Sequence, residues 1–446
     1  MRNSNITEGP IVRPLLYFFF PILCGSFFQQ LYNTIDALIV GNILGKEALA
    51  AVGGITSTYL NCYVGFFVGL SAGTTVLISQ FYGSRDYQKI SKTVHTSIGI
   101  ALVFGLFLTV IGSFTARDSL IFLKQPLELL DLSLEYIYIY FFGLIPLLVY
   151  NMGCSILRAA GDSKRPLYFL IVGMVVNIIL DIVFVQYLAM GIKGAAWATV
   201  IAQTCSSVLI LLSLINSEGP LKFEFKKICI DLNITKKVFI VGLPAALESL
   251  LYAASNLLIG TKVNDFGIDV IAANTAYGKI DAIYWMTLQA FNISITTFVG
   301  QNFGAKKLDR VKKSVNYWLI IALVFSASIS TAVCILSPYL LTMFNQDPNV
   351  VKIGIDLVFW ITPYWVLYAP IAIISGSLVG MGNAYIPTII SAIGLVGVRI
   401  LWVLFVPGLT VHKLFVIYPI SWAAISMIFL IYYYSGLYKR HIRHFS

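Results

Sequence analysis

Residues 79–94, SQFYGSRDYQKISKTV, return 221 positions later as GQNFGAKKLDRVKKSV at residues 300–315. At the same offset Gly161, Asp162 and Pro166 in AAGDSKRP meet Gly382, Asn383 and Pro387 in GMGNAYIP. Leu44-Gly45 through Ala50-Ala51 meets Phe266-Gly267 through Ala272-Ala273 at an offset of 222. A chain that contains itself twice folds as two like units, here of roughly 220 residues each. The expected division is an N-terminal lobe at 1–215, a polar linker at 216–236 and a C-terminal lobe at 237–446.

The solvent each unit faces follows from its apolar content. With 58% hydrophobic and 11% charged residues and a mean hydropathy of +0.85, the chain carries more apolar surface than a soluble domain could bury. Twelve apolar stretches are long enough to span a bilayer, at 15–38, 49–80, 92–114, 131–157, 166–187, 191–215, 237–262, 270–302, 314–336, 353–380, 387–406 and 412–434. Six fall in each half, and an even number returns the chain to its starting side, so the two repeats are parallel. Continuous apolar runs such as Leu167 to Val185 favour helices over the alternating strands of a barrel. The predicted fold is an all-α integral membrane protein with two parallel six-helix repeats.

A net charge of +10 would suit nucleic acid, but its distribution suits a lipid bilayer. Arg2 and Arg13, Arg85 to Lys92, Arg158 to Arg165, Lys222 to Lys237, Lys306 to Lys313 and Lys439 to Arg443 cluster at alternate helix ends. The opposite ends carry only Lys46, Arg117, Lys124, Lys193, Lys262, Lys352 and Lys413. Basic loops mark the cytoplasmic side, which places both termini and the linker inside. The first apolar stretch lacks a small-residue cleavage site and completes the repeat, so it reads as a retained helix.

The usual enzyme and metal signatures are missing from the sequence. Six cysteines have no paired spacing, and four histidines, His95, His412, His441 and His444, have no zinc-ligand spacing. No Gly-rich phosphate loop follows a strand pattern, and no nucleophile and base reach the membrane interior. Neither an enzyme, a cofactor nor a structural metal is expected.

Polar residues inside spanning helices are therefore the informative ones, because each charged group there costs about 2.5–3.5 kcal/mol even on lenient scales. Asp36 is one; Asp181 is another, with Asn177 four residues earlier on the same helix face. Thr199 lies in the sixth helix. Counting rise per residue places Asp36, Asp181 and Thr199 all roughly 6–9 Å below the same membrane edge. Two carboxylates, an amide and a hydroxyl at one depth suit a proton or a sodium ion. Like charge and burial disfavour the doubly ionised pair, while the oxygens replace part of a hydration shell.

FFQQLYNTIDALIVGNILGKEALAAVG at 27–53, RAAGDSKRP, NIILDIVFV at 177–185 and GIKGAAWATVIAQ at 191–203 together closely resemble the multidrug and toxic compound extrusion family. GQNFGA at 300–305 and GMGNAYIP extend the resemblance over nearly the whole chain. It implies a twelve-helix bacterial exporter in the cytoplasmic membrane. Two lobes around a central cavity would exchange cationic or amphipathic small molecules for H+ or Na+. It also implies an ion site at Asp36, Asn177, Asp181 and Thr199, the cluster reached by depth, and a single working chain.

Some members carry a second acidic site, of which Glu248 matches one residue. The tenth helix, TPYWVLYAPIAII, holds no acid to match the other. Glu248 is then a candidate counter-charge for substrate, with Tyr284, Tyr364 and Tyr368 as aromatic cavity candidates. The i, i+4 spacing of Tyr364 and Tyr368 puts them on one face, where their rings could hold a delocalised cation. Lys279, Asp281 and Arg399 are candidates for intramembrane ion pairs. A flippase for lipid-linked oligosaccharides, in the same wider superfamily, is the alternative reading. The two copies also disagree informatively: Asp36 falls opposite Leu258-Ile259, Asn177 opposite Val398 and Asp181 opposite Trp402. The ion chemistry thus belongs to one copy.

Overall fold

The computed structural model describes residues 6–442 and is helical, with no β-strand among them. Arg2, Arg443 and His444 lie outside the described residues. Twelve helical rods run in sequence. They are α1 (Val12–Leu44), α2 (Lys46–Ser84), α3 (Tyr87–Phe122), α4 (Leu127–Phe142 with Leu144–Ala159), α5 (Lys164–Tyr187) and α6 (Gly191–Ile215). The second six are α7 (Leu232–Phe266), α8 (Ile268–Gly304), α9 (Leu308–Thr342), α10 (Pro348–Gly380), α11 (Tyr385–Phe405) and α12 (Val411–Tyr434). Ten are individually long and apolar enough to cross a membrane, and α4 is an eleventh, bent by 49° between its two segments. Pro146, in the first turn after the bend, lacks the N–H that would continue the helix ladder. The remaining rod, α8, spreads Gln289, Asn292, Ser294 and Thr296 through its otherwise apolar half.

The repeated motifs have repeated geometry. Gly161 and Gly382 take positive φ, 94° and 81°, a conformation that a side chain would strain. The residue after each caps the helix that follows. Asp162 Oδ1 accepts from the Lys164 and Arg165 N–H groups, and Asn383 Oδ1 from that of Ile386. Arg85 and Lys306, one at the end of α2 and one at the end of α8, are both left-handed at φ 59°.

The helices fall into two compact units. The first is Phe20–Ala246; the second joins the residues up to Phe19 to those from Leu247 onward. The division points lie inside α1 and α7, beside Pro21 and Pro244. In the first unit α5 packs on α6, and α4 on α3 and α6, around Leu70, Leu77, Phe81, Phe141 and Ile156. In the second, α8 packs on α9 and α10, and α10 on α12, around Phe291, Trp318, Trp365 and Ile373.

Each unit also fastens an incoming segment to the start of one of its helices. In the first, Lys92 of α3 pairs with Asp231. His95 stacks on Phe223 at 5.4 Å while its Nε2 accepts from the Glu224 N–H at 3.0 Å. In the second, the Arg310 guanidinium of α9 donates to the carbonyls of Ile6, Glu8 and Gly9 at 3.0, 3.1 and 2.7 Å.

Three π turns interrupt the ladder: Val40–Leu44 ends α1, Ile182–Tyr187 ends α5, and Ala392–Gly397 sits inside α11. Each accommodates one residue more than an α turn and so rotates the following register by about 100°.

Candidate functional site

The site of the first unit is built on α5. Gly173 lets this helix press against α6: a Cβ there would stand 2.1 Å from Ser206 Oγ. One turn on, Asn177 and Asp181 continue the same buried face, each fully enclosed. Thr199 of α6 is also buried; its hydroxyl donates to the Ala195 carbonyl at 3.1 Å and stands within hydrogen-bond reach of the Tyr32 hydroxyl. Asp36 is the residue four before the π turn of α1, and that turn packs against the π turn that follows Asp181. The helix defects thus flank both carboxylates, as π turns often flank functional sites.

What distinguishes the cluster is unmet hydrogen-bonding capacity. Asp36 Oδ1, both carboxyl oxygens of Asp181 and both polar side-chain atoms of Asn177 are buried without a hydrogen-bond partner. Asp36 and Asp181 face each other within hydrogen-bond reach, a carboxyl pair with room for one shared proton. Buried polar atoms are nearly always satisfied, so an orphaned set of this kind makes the cluster a candidate site for an ion or water. Two carboxylates, an amide oxygen and a hydroxyl offer a proton a home, and offer a small hard cation an oxygen shell.

Sequence reasoning missed the groups around this core. Tyr32, Tyr136 and Tyr140 line the carboxylates, and Gln203 stands beside Tyr140. Spacing could have found all four. Tyr32 is four residues before Asp36, Gln203 four after Thr199, and Tyr136 four before Tyr140. Tyr32, Gln203, Gln29 and Tyr150 also line a cavity of about 70 Å³ between α1, α4, α5 and α6.

The MatE family model matches the chain twice, at residues 21–183 and 244–404, once in each half and over most of its length. The chain belongs to the MatE family. It is 26% identical to the probable multidrug resistance protein YoeA of Bacillus subtilis, over 97% of this chain and 96% of that one. It is 24% identical to the FAD transporter of Shewanella oneidensis, over 83% of this chain and 82% of that one. An outward-facing multidrug resistance MATE family transporter of the MOP superfamily superposes with a TM-score of 0.90, at 21% identity and with 99% of each chain covered. The twelve-helix fold and the membrane-transporter family are those expected from the sequence.

In this MatE chain the second unit differs from its expected chemistry. No ion pair joins Lys279, Asp281 or Arg399 to an opposite charge among the described residues. Lys279 is exposed, Asp281 accepts from Trp285 Nε1 at 2.7 Å, and Arg399 is fully buried against tyrosine rings. Neutral donors and aromatic faces have taken the place of the opposite charges. Tyr284, expected to face a cavity, is enclosed: it stacks on Trp365 at 4.4 Å, with its hydroxyl donating to the Trp365 carbonyl.

Tyr364 and Tyr368 do not share a face, because Thr362–Tyr368 is a 3₁₀ helix, in which residues four apart are turned by about 120°. Tyr364 is exposed, while Tyr368 packs edge-on against Trp285 at 4.6 Å. Glu248 is half-buried beside Thr388 and Ser391.

Proposed function

We propose that this chain is a secondary active efflux antiporter of the bacterial cytoplasmic membrane, with both termini in the cytoplasm, working as a single chain. It exports cationic or amphipathic small molecules in exchange for inward-moving H+ or Na+. Asp36, Asn177, Asp181 and Thr199 form the coupling site. The observation that carries this reading is the set of buried, unpartnered oxygen acceptors in the first unit.

The mechanism follows from the electrostatics of that set. Empty, it holds two facing carboxylates in a medium that solvates charge poorly, and the site is strained by repulsion. A proton or sodium ion arriving from outside relieves the repulsion and draws α1, α5 and α6 together, which favours the state that has released its cargo outward. Loss of the ion to the cytoplasm restores the repelled arrangement. The ion acts by binding the two states unequally, the only way a ligand shifts a conformational equilibrium. One ion moving down about 100 mV and a tenfold gradient releases about 2.3 plus 1.4 kcal/mol, which sustains a several-hundred-fold gradient of a neutral substrate.

Everted vesicles test the proposal. Ethidium uptake should follow an imposed proton or sodium gradient and stop when that gradient is collapsed. Uptake indifferent to both gradients overturns the antiport reading. Comparing the two drives names the ion, since the same oxygens suit both. The FAD transporter of Shewanella oneidensis supports testing an anionic cargo beside the cationic one.

A further inference from the structure

The second copy of the repeat holds a charge of opposite sign where the first holds its coupling site. The copies keep the 221-residue offset as far as Gly173 and Gly394, and both glycines serve close approach. A Cβ on Gly394 would stand 2.3 Å from Ile425 Cγ1. Buried positions in the first copy continue at Met174, Asn177 and Asp181, and in the second at Leu395, Arg399 and Val403. The step from the glycine to the next inward polar residue is four in α5 and five in α11. The π turn Ala392–Gly397 supplies that additional residue. Arg399, rather than Val398, therefore holds the inward position of Asn177. Trp402 is turned away, its indole donating to the Lys413 carbonyl.

Arg399 is enclosed and under-satisfied. Its Nη2 has no hydrogen-bond partner, and its two bonds, to Asn256 Oδ1 and Ser421 Oγ, are both long at 3.4 Å. The guanidinium lies 4.4 Å from the centre of the Tyr418 ring and 5.7 Å from that of Tyr252. No carboxylate comes within 4.0 Å of it among the described residues; Asp281 is held by Trp285 and Tyr277, and Glu248 stands beside Thr388 and Ser391. The Tyr252 hydroxyl and the Trp422 indole N–H are likewise buried without partners. One buried cation with neighbouring unpartnered donors and an aromatic surround requires an acceptor that the chain does not supply.

We propose that Arg399, with the Tyr252 hydroxyl, is an anion-recognition subsite that takes the carboxylate of an aromatic ligand. Two coplanar guanidinium donors match a carboxylate, and the rings of Tyr252, Tyr418 and Trp422 receive the aromatic body. The subsite names a substrate class for the transport reading above and rests on it. Its test needs no transport, so either can fail alone.

The test is binding of 1-naphthoate and of its neutral isostere 1-naphthamide to the purified full chain, read by tryptophan quenching. The acid should bind about tenfold more tightly than the amide. Arg399→Gln should bring the two affinities together, and Arg399→Lys, which keeps charge but loses the fork, should narrow the gap. Equal affinities in the unaltered protein overturn the subsite whether or not any variant folds. A preference that persists unchanged in the folded variants overturns it as well. Loss of gradient-driven ethidium uptake in the unaltered protein would instead overturn the antiport reading and leave the binding result standing.

Discussion

α5 and α11 are the same helix of the repeat, yet one presents an amide and a carboxylate to its interior and the other a guanidinium. Substitution alone does not explain the difference. In α5 the π turn comes after the polar pair, at Ile182–Tyr187; in α11 it comes before, at Ala392–Gly397. Moving one helical defect along a rod re-aims the side chains between its old and new places. A duplicated scaffold can thus acquire a site of opposite sign while its loops and glycine contacts stay in register.

The largest effect expected from breaking this asymmetry is on the first copy. Asp181→Asn removes a carboxylate from a site where both of its oxygens are buried and unpartnered. Gradient-driven ethidium uptake into everted vesicles should fall by about 100-fold, the upper end of what removing even a supporting ligand costs. Asp36→Asn should do the same. Uptake within a few-fold of normal in either variant would place the coupling site elsewhere.

The second effect tests the register. Inserting one alanine after Gly397, just beyond the α11 π turn, adds a residue that the turn has not absorbed and rotates the residues beyond it by about 100°. Val398 and Trp402 then take the buried face and Arg399 leaves it. The preference for naphthoate over naphthamide should collapse from about tenfold to near equality. Retention of the full preference would show that the preference does not come from the inward register of Arg399.

These two regions also show what the sequence could and could not reveal. Asn177 and Asp181 were legible because an i, i+4 pair of polar residues in an apolar run has one physical reading. Gly161-Asp162 and Gly382-Asn383 were legible because turn and cap chemistry is local. The pairing of Asn177 with Val398 was wrong in space because a gap-free alignment carries no sign of a π turn, whose residues AIGLVG are ordinary helix formers and glycines. Tyr364 and Tyr368 were misread for a related reason. Pro363 and Pro370 bracket a 3₁₀ stretch, so spacing that is right for an α-helix assigned the wrong face. Contacts between distant segments, such as His95 with Glu224, have no local signature at all.

A smaller effect compares the glycine contacts. An added methyl at Gly394 meets Ile425 Cγ1 at 2.3 Å, whereas one at Gly173 meets the tip of Ser206 at 2.1 Å. A serine hydroxyl swings to another rotamer, but a β-branched side chain in a packed groove does not. Gly394→Ala should therefore cost about 1–3 kcal/mol, the usual range for overpacking, and Gly173→Ala less. Thermal unfolding in detergent checks the order, and a Gly173→Ala variant that melts below Gly394→Ala reverses it.

The smallest effect separates the two fastenings at the starts of α3 and α9. Lys92 holds Asp231 below the ordinary carboxylate range by direct pairing, with further help from the Ile234 N–H. A carboxylate whose folded value is depressed contributes stability that is complete above its unfolded value, near pH 4, and lost as pH falls through the folded one. The segment before α7 should accordingly loosen below about pH 4. Asp231→Asn should loosen it a few-fold at neutral pH, and added salt should weaken an exposed pair of this kind. Arg310 binds carbonyls, which do not titrate, so residues 6–10 should keep their protection over the same range. Amide exchange of the two segments measured side by side decides the matter. Equal loosening on acidification would mean that the fastenings are not the independent contacts their chemistry describes.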